Sequence, residues 1–174
     1  ALSPWRLILA YSNGIFPCFI EEQPILGWSP NPRCVLFPDE IHVSRILRRT
    51  LNRQLFRVTA DRNFRQVIRL GAITRDEGTW ITDDMEASYT RLHDMGIAHS
   101  IEAWNAEDEL VGGMYGVALG RCFFGESMFS LETNASKVVM VHLANQLRQW
   151  GFVLIDCQVE SDHLLRMGAR NIPR

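Results

Sequence analysis

Between Ile97 and Ser130 the sequence repeats one pattern three times. IAHSIEAW (97–104), ELVGGMYGVAL (109–119) and RCFFGESMFS (121–130) are apolar runs separated by NAED and by Gly120. Links this short join antiparallel neighbours, because a parallel pair needs a long crossover. Three consecutive antiparallel strands are therefore predicted. The period then changes. A helix is expected from Asn134 or Ser136 through Trp150, with Gly151 as its stop. A further strand, FVLIDCQV (152–159), and a short helix over 161–167 follow. This order predicts an α+β fold built on a mixed, mostly antiparallel sheet.

The first half is less regular. NGIFP (13–17), GWSPNPR (27–33) and FPDE (37–40) are turn-rich, and prolines at 17, 24, 30, 32 and 38 argue against long regular elements there. Ser44 is expected to cap a helix over 45–54, with Ile46, Leu47 and Leu51 facing inward. FRVTA (56–60) is predicted as a strand. Asp61 is expected to cap a second helix that buries Phe64, Val67 and Ile68. Thr82 or Asp83 caps a third, in which Met85, Tyr89 and Leu92 share a face and Gly96 ends the run. A boundary near 70–80 divides the chain into a smaller aromatic and Arg-rich part, 1–75, and a larger part, 76–174.

A length of 174 residues suits one domain or two small ones, and 47% apolar residues with five Trp and nine Phe are enough for a core. No apolar run approaches the roughly 20 residues of a membrane span, and the start ALSPWRLILAY does not resemble a signal peptide. Cys18, Cys34, Cys122 and Cys157 are widely spaced, with no zinc-like cluster. No metal site and a cytoplasmic protein with reduced thiols are the expectation. Charge is uneven: nine of the eighteen cationic residues lie between Arg45 and Arg75, where Asp61 is the sole acid. Such a window is either a phosphate-binding surface or a solvated helix face.

LIDCQ (154–158) poses a separate question, because it sets an acid and an amide into an apolar strand. Alternation puts Asp156 and Gln158 on one face, with Ile155 and Cys157 on the other. A buried carboxylate requires a partner. Either Asp156 is a structural ion pair or loop anchor, or the strand carries a functional site.

The order of elements resembles the Gcn5-related N-acyltransferase fold, in which two central strands splay around an acyl donor. Those proteins usually hold coenzyme A on a glycine-rich turn. Here no glycine lies between Ser127 and Trp150, so the pyrophosphate cradle is missing. Longer motifs point further. LSPWRLILAYSNGIFP (2–17), WSPNPR (28–33), EGTWIT (77–82), AHSIEAW (98–104), ELVGGMYGV (109–117), FGESMFS (124–130), NASK (134–137), LIDCQ (154–158) and DHLLRMGARNIPR (162–174) resemble, in order, the bacterial leucyl/phenylalanyl-tRNA–protein transferases. The resemblance implies transfer of Leu or Phe, sometimes Met, from charged tRNA to the N-terminal amine of proteins beginning with Arg or Lys, which marks them for degradation. No cofactor and no metal are implied, and a monomer is expected. Coenzyme A-dependent acyl transfer and a non-catalytic RNA-binding module are the alternatives.

By that resemblance Asp156 and Gln158 are the catalytic pair, Gln158 accepting a hydrogen bond from the attacking amine and Asp156 polarising the arrangement. Loss of either side chain is expected to lower turnover with the fold kept. Glu126 matches an acid beside the acceptor. Met114, Phe123 and Ile155 match the apolar slot for the donor side chain, which Met140 extends. Trp80 matches an aromatic that stacks on the terminal adenosine. The family's second stacking Trp is here Cys18, in GIFPC, and the first Trp of its WWSP is Gly27. Arg45, Arg48, Arg49, Arg53, Arg62 and Arg65 are expected to receive the tRNA acceptor stem.

Overall fold

A computed structural model describes residues 3–18, 26–73 and 83–174 of the chain. Ser3 starts helix α1 (Pro4–Ser12) by accepting a hydrogen bond from the Arg6 N–H at 3.3 Å, with Pro4 in the first turn. This nine-residue helix was not expected from the sequence, although Ser3 and Pro4 suit a helix start. Strands β1 (Phe16–Cys18) and β2 (Leu26–Trp28) form a small antiparallel ribbon. Strand β3 (Arg33–Leu36) follows and is fully buried.

Ser44 caps α2 (Arg45–Asn52) through the Leu47 N–H, as its position predicts. Leu47 is buried there, but Ile46 is 70% exposed and does not face inward. Strand β4 (Arg57–Ala60) leads to α3 (Phe64–Ile73), which buries Phe64, Val67 and Ile68. Asp61 does not cap this helix. Its carboxylate turns instead toward residues 99 and 100, taking hydrogen bonds from the Ser100 N–H and from His99. Asp83 opens α4 (Asp83–Asp94), and the alternative cap Thr82 lies outside the described residues.

The meander forms as the sequence predicts: β5 (Ala98–Trp104), β6 (Leu110–Leu119) and β7 (Cys122–Ser130) pair antiparallel in turn. Helix α5 (Ala135–Gln149) then crosses to β8 (Leu154–Gln158), which lies parallel to β7. Ser161 caps the short α6 (Asp162–Arg166), and β9 (Arg170–Ile172) pairs with β3. Neither β3 nor β9 was expected, since each is too short to show a period. The sheet order is β4-β5-β6-β7-β8-β3-β9, and only the β7–β8 pairing is parallel. This is the expected α+β class, and β3 and β4, both ahead of residue 75, lie in the same sheet as β5–β8.

Both faces of the sheet are covered. On one, α5 and Leu47 of α2 enclose a core that includes Met114, Phe123, Val139, Met140 and Ile155. On the other, Leu7 and Tyr11 of α1, Phe64 and Ile68 of α3, and Met85 and Tyr89 of α4 pack on Tyr115, Val117 and Phe124. Burial on both faces explains why β6 is apolar from end to end instead of alternating. It also explains Gly112: a Cβ there would sit 2.7 Å from that of Ala135, so the glycine lets α5 begin against the sheet. No helix among the described residues is long and apolar enough to cross a membrane.

Candidate active site

The parallel pairing of β7 with β8 covers three residue pairs and stops at Phe124 and Asp156. Past that point the strands part, and a cavity of about 330 Å³ opens between them. Both cores contribute to its wall. Met114, Met140 and Ile155 come from the α5 side, and Phe16, Met85 and Tyr115 from the other. The gap therefore pierces the sheet. Among the described residues, Glu126, Gln158 and Glu160 are the strongly polar groups of the lining.

Gln158 does not follow strand alternation. Its φ is +70°, in the left-handed region. That turn carries its side chain to the cavity, where Ile155 and Cys157 also lie, while Asp156 stays behind on the other side. Asp156 fixes the turn by accepting the Gln158 N–H at 2.9 Å. It is itself gripped by Arg33, with Nε to Oδ1 and Nη2 to Oδ2 both at 2.9 Å. The pair is buried, Arg33 at 5% and Asp156 at 6% exposure. Arg33 also donates to the Gly14 carbonyl at 2.7 Å and stacks over Phe16. The question raised by LIDCQ thus has a double answer. Asp156 is a buried ion pair, and through that pair it positions Gln158. Asp156 does not line the cavity; it reaches the site through the Gln158 N–H.

Gln158 Nε2 donates to Glu126 Oε1 at 2.9 Å, which leaves the amide oxygen as an acceptor. The Tyr11 hydroxyl donates to the same Glu126 oxygen. The Tyr89 hydroxyl meets that of Tyr11 within hydrogen-bond distance. Burial first, then the charge of Glu126, pushes both phenols well above the usual tyrosine range, so they stay protonated. Glu126 Oε1 thus accepts from two neutral donors, Tyr11 and Gln158. Cys157 lines the cavity as well, but contact with Cys34 and burial raise its thiol well above the usual range. A protonated thiol is a poor nucleophile, so Cys157 is not suited to covalent acyl transfer.

Of the predicted donor slot, Met114 and Ile155 line the cavity and Met140 joins them. Phe123 does not; it is 2% exposed and packs beneath, in the core. Its strand neighbour Gly125 takes the place at the surface. Trp80 and the side chain of Cys18 lie outside the described residues. Arg45, Arg48, Arg49, Arg53, Arg62 and Arg65 are all exposed, but they do not form one face. The first three lie on α2 and Arg53 at its end, against the α5 side of the sheet; Arg65 is on α3, on the opposite side, with Arg62 just before it. The strand β4 between them carries the arginine-rich window around the sheet edge. Among the described residues no group of His, Cys, Asp and Glu side chains is arranged to hold a metal ion.

Tyr11, Met85 and Arg33 escaped the sequence reading as site residues. Only Arg33 left a usable trace. A buried Asp156 demands a cation, and Arg33 ends WSPNPR, away from the arginine-rich window.

Comparison with known proteins adds to this geometry. Residues 35–174 match the family described as leucyl/phenylalanyl-tRNA protein transferase, and residues 1–31 match its N-terminal domain. Proteins named leucyl/phenylalanyl-tRNA–protein transferase from Nitrosospira multiformis and Pseudomonas aeruginosa are each 57% identical, over 99% of this chain and 75% and 77% of their own lengths. Among solved structures, L-PGS from Bacillus licheniformis aligns over 91% of this chain and 51% of its own, with a TM-score of 0.51 at 12% identity. A conserved protein of unknown function from Staphylococcus epidermidis aligns over 80% and 56%, with a TM-score of 0.55 at 12% identity. At that identity the two structures speak for the fold alone.

Proposed function

This chain belongs to the leucyl/phenylalanyl-tRNA protein transferase family, and from that premise we propose that the cavity between β7 and β8 joins the two substrates of the reaction. The enzyme is an aminoacyltransferase with aminoacyl-tRNA as donor and a protein N-terminus as acceptor. The donor side chain, Leu, Phe or Met, enters the apolar half lined by Met114, Met140 and Ile155. The acceptor, a protein beginning with Arg or Lys, brings its α-amine to Gln158 and Glu126. The observation that carries this reading is the meeting of an apolar slot with an acidic, amide-bearing wall at a single break in the sheet.

The donor ester is already activated, so the site needs to align groups and manage protons. An α-amine has a pKa of about 8 and arrives mostly as ammonium. It sheds one proton at the Glu126 carboxylate. The amine nitrogen, accepted by the Gln158 amide oxygen, then attacks the ester carbonyl carbon. The C–N bond forms, the C–O bond to the ribose breaks, and the departing ribose oxygen takes the second proton. Asp156 and Arg33 hold Gln158 in place and take no proton. The marked product is suited to entry into a degradation pathway, and the protein to work as a cytoplasmic monomer.

The test is transfer of radiolabelled Phe from Phe-tRNA to a peptide beginning with Arg, beside the same peptide beginning with Ala. Transfer to the Arg peptide alone is expected. Equal transfer to both, or none from folded protein, overturns the reading. Arg45, Arg48 and Arg49 of α2, with Arg53 at its end, serve the tRNA backbone, and four phosphate contacts predict affinity falling roughly a hundredfold between about 50 and 200 mM salt. A nearly flat salt titration of tRNA binding removes that surface from the account.

A further inference from the structure

An acceptor that begins with Arg or Lys presents two cations a few bonds apart, its α-ammonium and its side chain. Among the described residues that line the cavity there are two carboxylates, Glu126 and Glu160, and no Arg, Lys or His. The two acids are not equivalent. Glu126 is half-buried on β7, and its Oε1 is shared by Tyr11 and Gln158. It stands beside the amide that meets the attacking nitrogen. Glu160 is exposed, two residues past Gln158, in the turn that leads from β8 to α6. Asn171 of β9 donates to its Oε2 at 2.7 Å, which orients the carboxylate and leaves its Oε1 to receive a cation.

We infer that the two carboxylates divide the acceptor between them: Glu126 takes the α-ammonium, and Glu160 at the rim pairs with the Arg or Lys side chain and so sets the preference for a basic N-terminus. The inference rests on the function proposed above. It separates chemistry from recognition. A half-buried acid already held by Tyr11 and Gln158 cannot also follow a long, mobile guanidinium, whereas an exposed and tethered carboxylate at the mouth can. Either basic side chain suits such a partner, because a guanidinium or an ammonium N–H can reach the Oε1 that Asn171 leaves open.

The experiment compares Phe transfer from Phe-tRNA to a peptide beginning with Arg and to the same peptide beginning with citrulline, its neutral isostere. Wild type is expected to favour Arg. In Glu160→Gln, kcat/KM for the Arg peptide should fall about tenfold, through KM, while transfer to the citrulline peptide stays unchanged. Glu160→Asp keeps the charge and should keep most of the preference. Wild-type preference for Arg that survives intact in Glu160→Gln overturns the inference and leaves the proposed function standing. Loss of the preference in Glu160→Asp as fully as in Glu160→Gln assigns the effect to side-chain length and also overturns it. A wild type that treats the two peptides alike overturns the proposed acceptor rule itself.

Discussion

Asp156→Ala should cost the protein about 3–5 kcal/mol, the usual penalty for stranding one member of a buried ion pair. Arg33 is 5% exposed and its guanidinium is held by both Asp156 oxygens, so removing the acid leaves a cation with no water to turn to. This replaces the expectation from sequence that the variant keeps its fold. Urea denaturation is the measurement, read as a lower midpoint at an unchanged slope. A midpoint within about 1 kcal/mol of wild type would show that the pair contributes little. A double variant, Arg33→Met with Asp156→Leu, separates the two roles of the carboxylate. Replacing both charges by apolar groups of similar size should restore much of the stability. It should not restore transfer, because the Gln158 N–H then has no acceptor to hold its left-handed turn.

Gln158→Ala is expected to lower kcat/KM about tenfold to a hundredfold, the worth of one or two hydrogen bonds to charged groups. The amide oxygen that meets the amine is lost, and so is the donor that faces Glu126. Stability should barely move, since the side chain is half-buried and alanine at φ +70° bears the same backbone strain as glutamine. Gln158→Gly sharpens the test. Glycine relieves the strain, so this variant should be as inactive as Gln158→Ala yet slightly more stable, by up to about 1 kcal/mol. Strain kept for a purpose gives that pairing of lost turnover with gained stability. Full activity in either variant removes Gln158 from the reaction.

The second half of the fold was legible because its periods are long and clean. Three apolar runs separated by short turns, a fifteen-residue helix and a turn at Gly151 leave few arrangements, and the element ends fall within two residues of expectation. The short edge pieces were not legible. Strands β3 and β9 owe their strand state to partners far along the chain, and four or three residues carry no period of their own. Asp61 misled because an acid before an apolar run resembles a cap, yet its carboxylate has a better offer from the Ser100 N–H and His99 across the sheet. At the site, residue types were readable and directions were not. Family motifs named Asp156, Gln158 and Glu126, but one positive φ at Gln158 put the first two on different sides of the strand, against simple alternation. Phe123 was placed in the donor slot on the same logic, and a neighbouring glycine stands at the cavity instead.

The contacts that complete the site join residues very distant in sequence. Arg33 reaches Asp156 across 123 positions, and Tyr11 reaches Glu126 across 115. Loop closure of that length is slow, and such contacts form late. During synthesis α1 and β3 leave the ribosome first and must wait for β7 and β8. Until β8 arrives, Gln158 does not yet exist and Glu126 has only β6 beside it. A chain still lacking β8 therefore holds Met114, Met140 and Glu126 but neither Ile155 nor Gln158, so the slot and its amide wall are completed together when that strand docks.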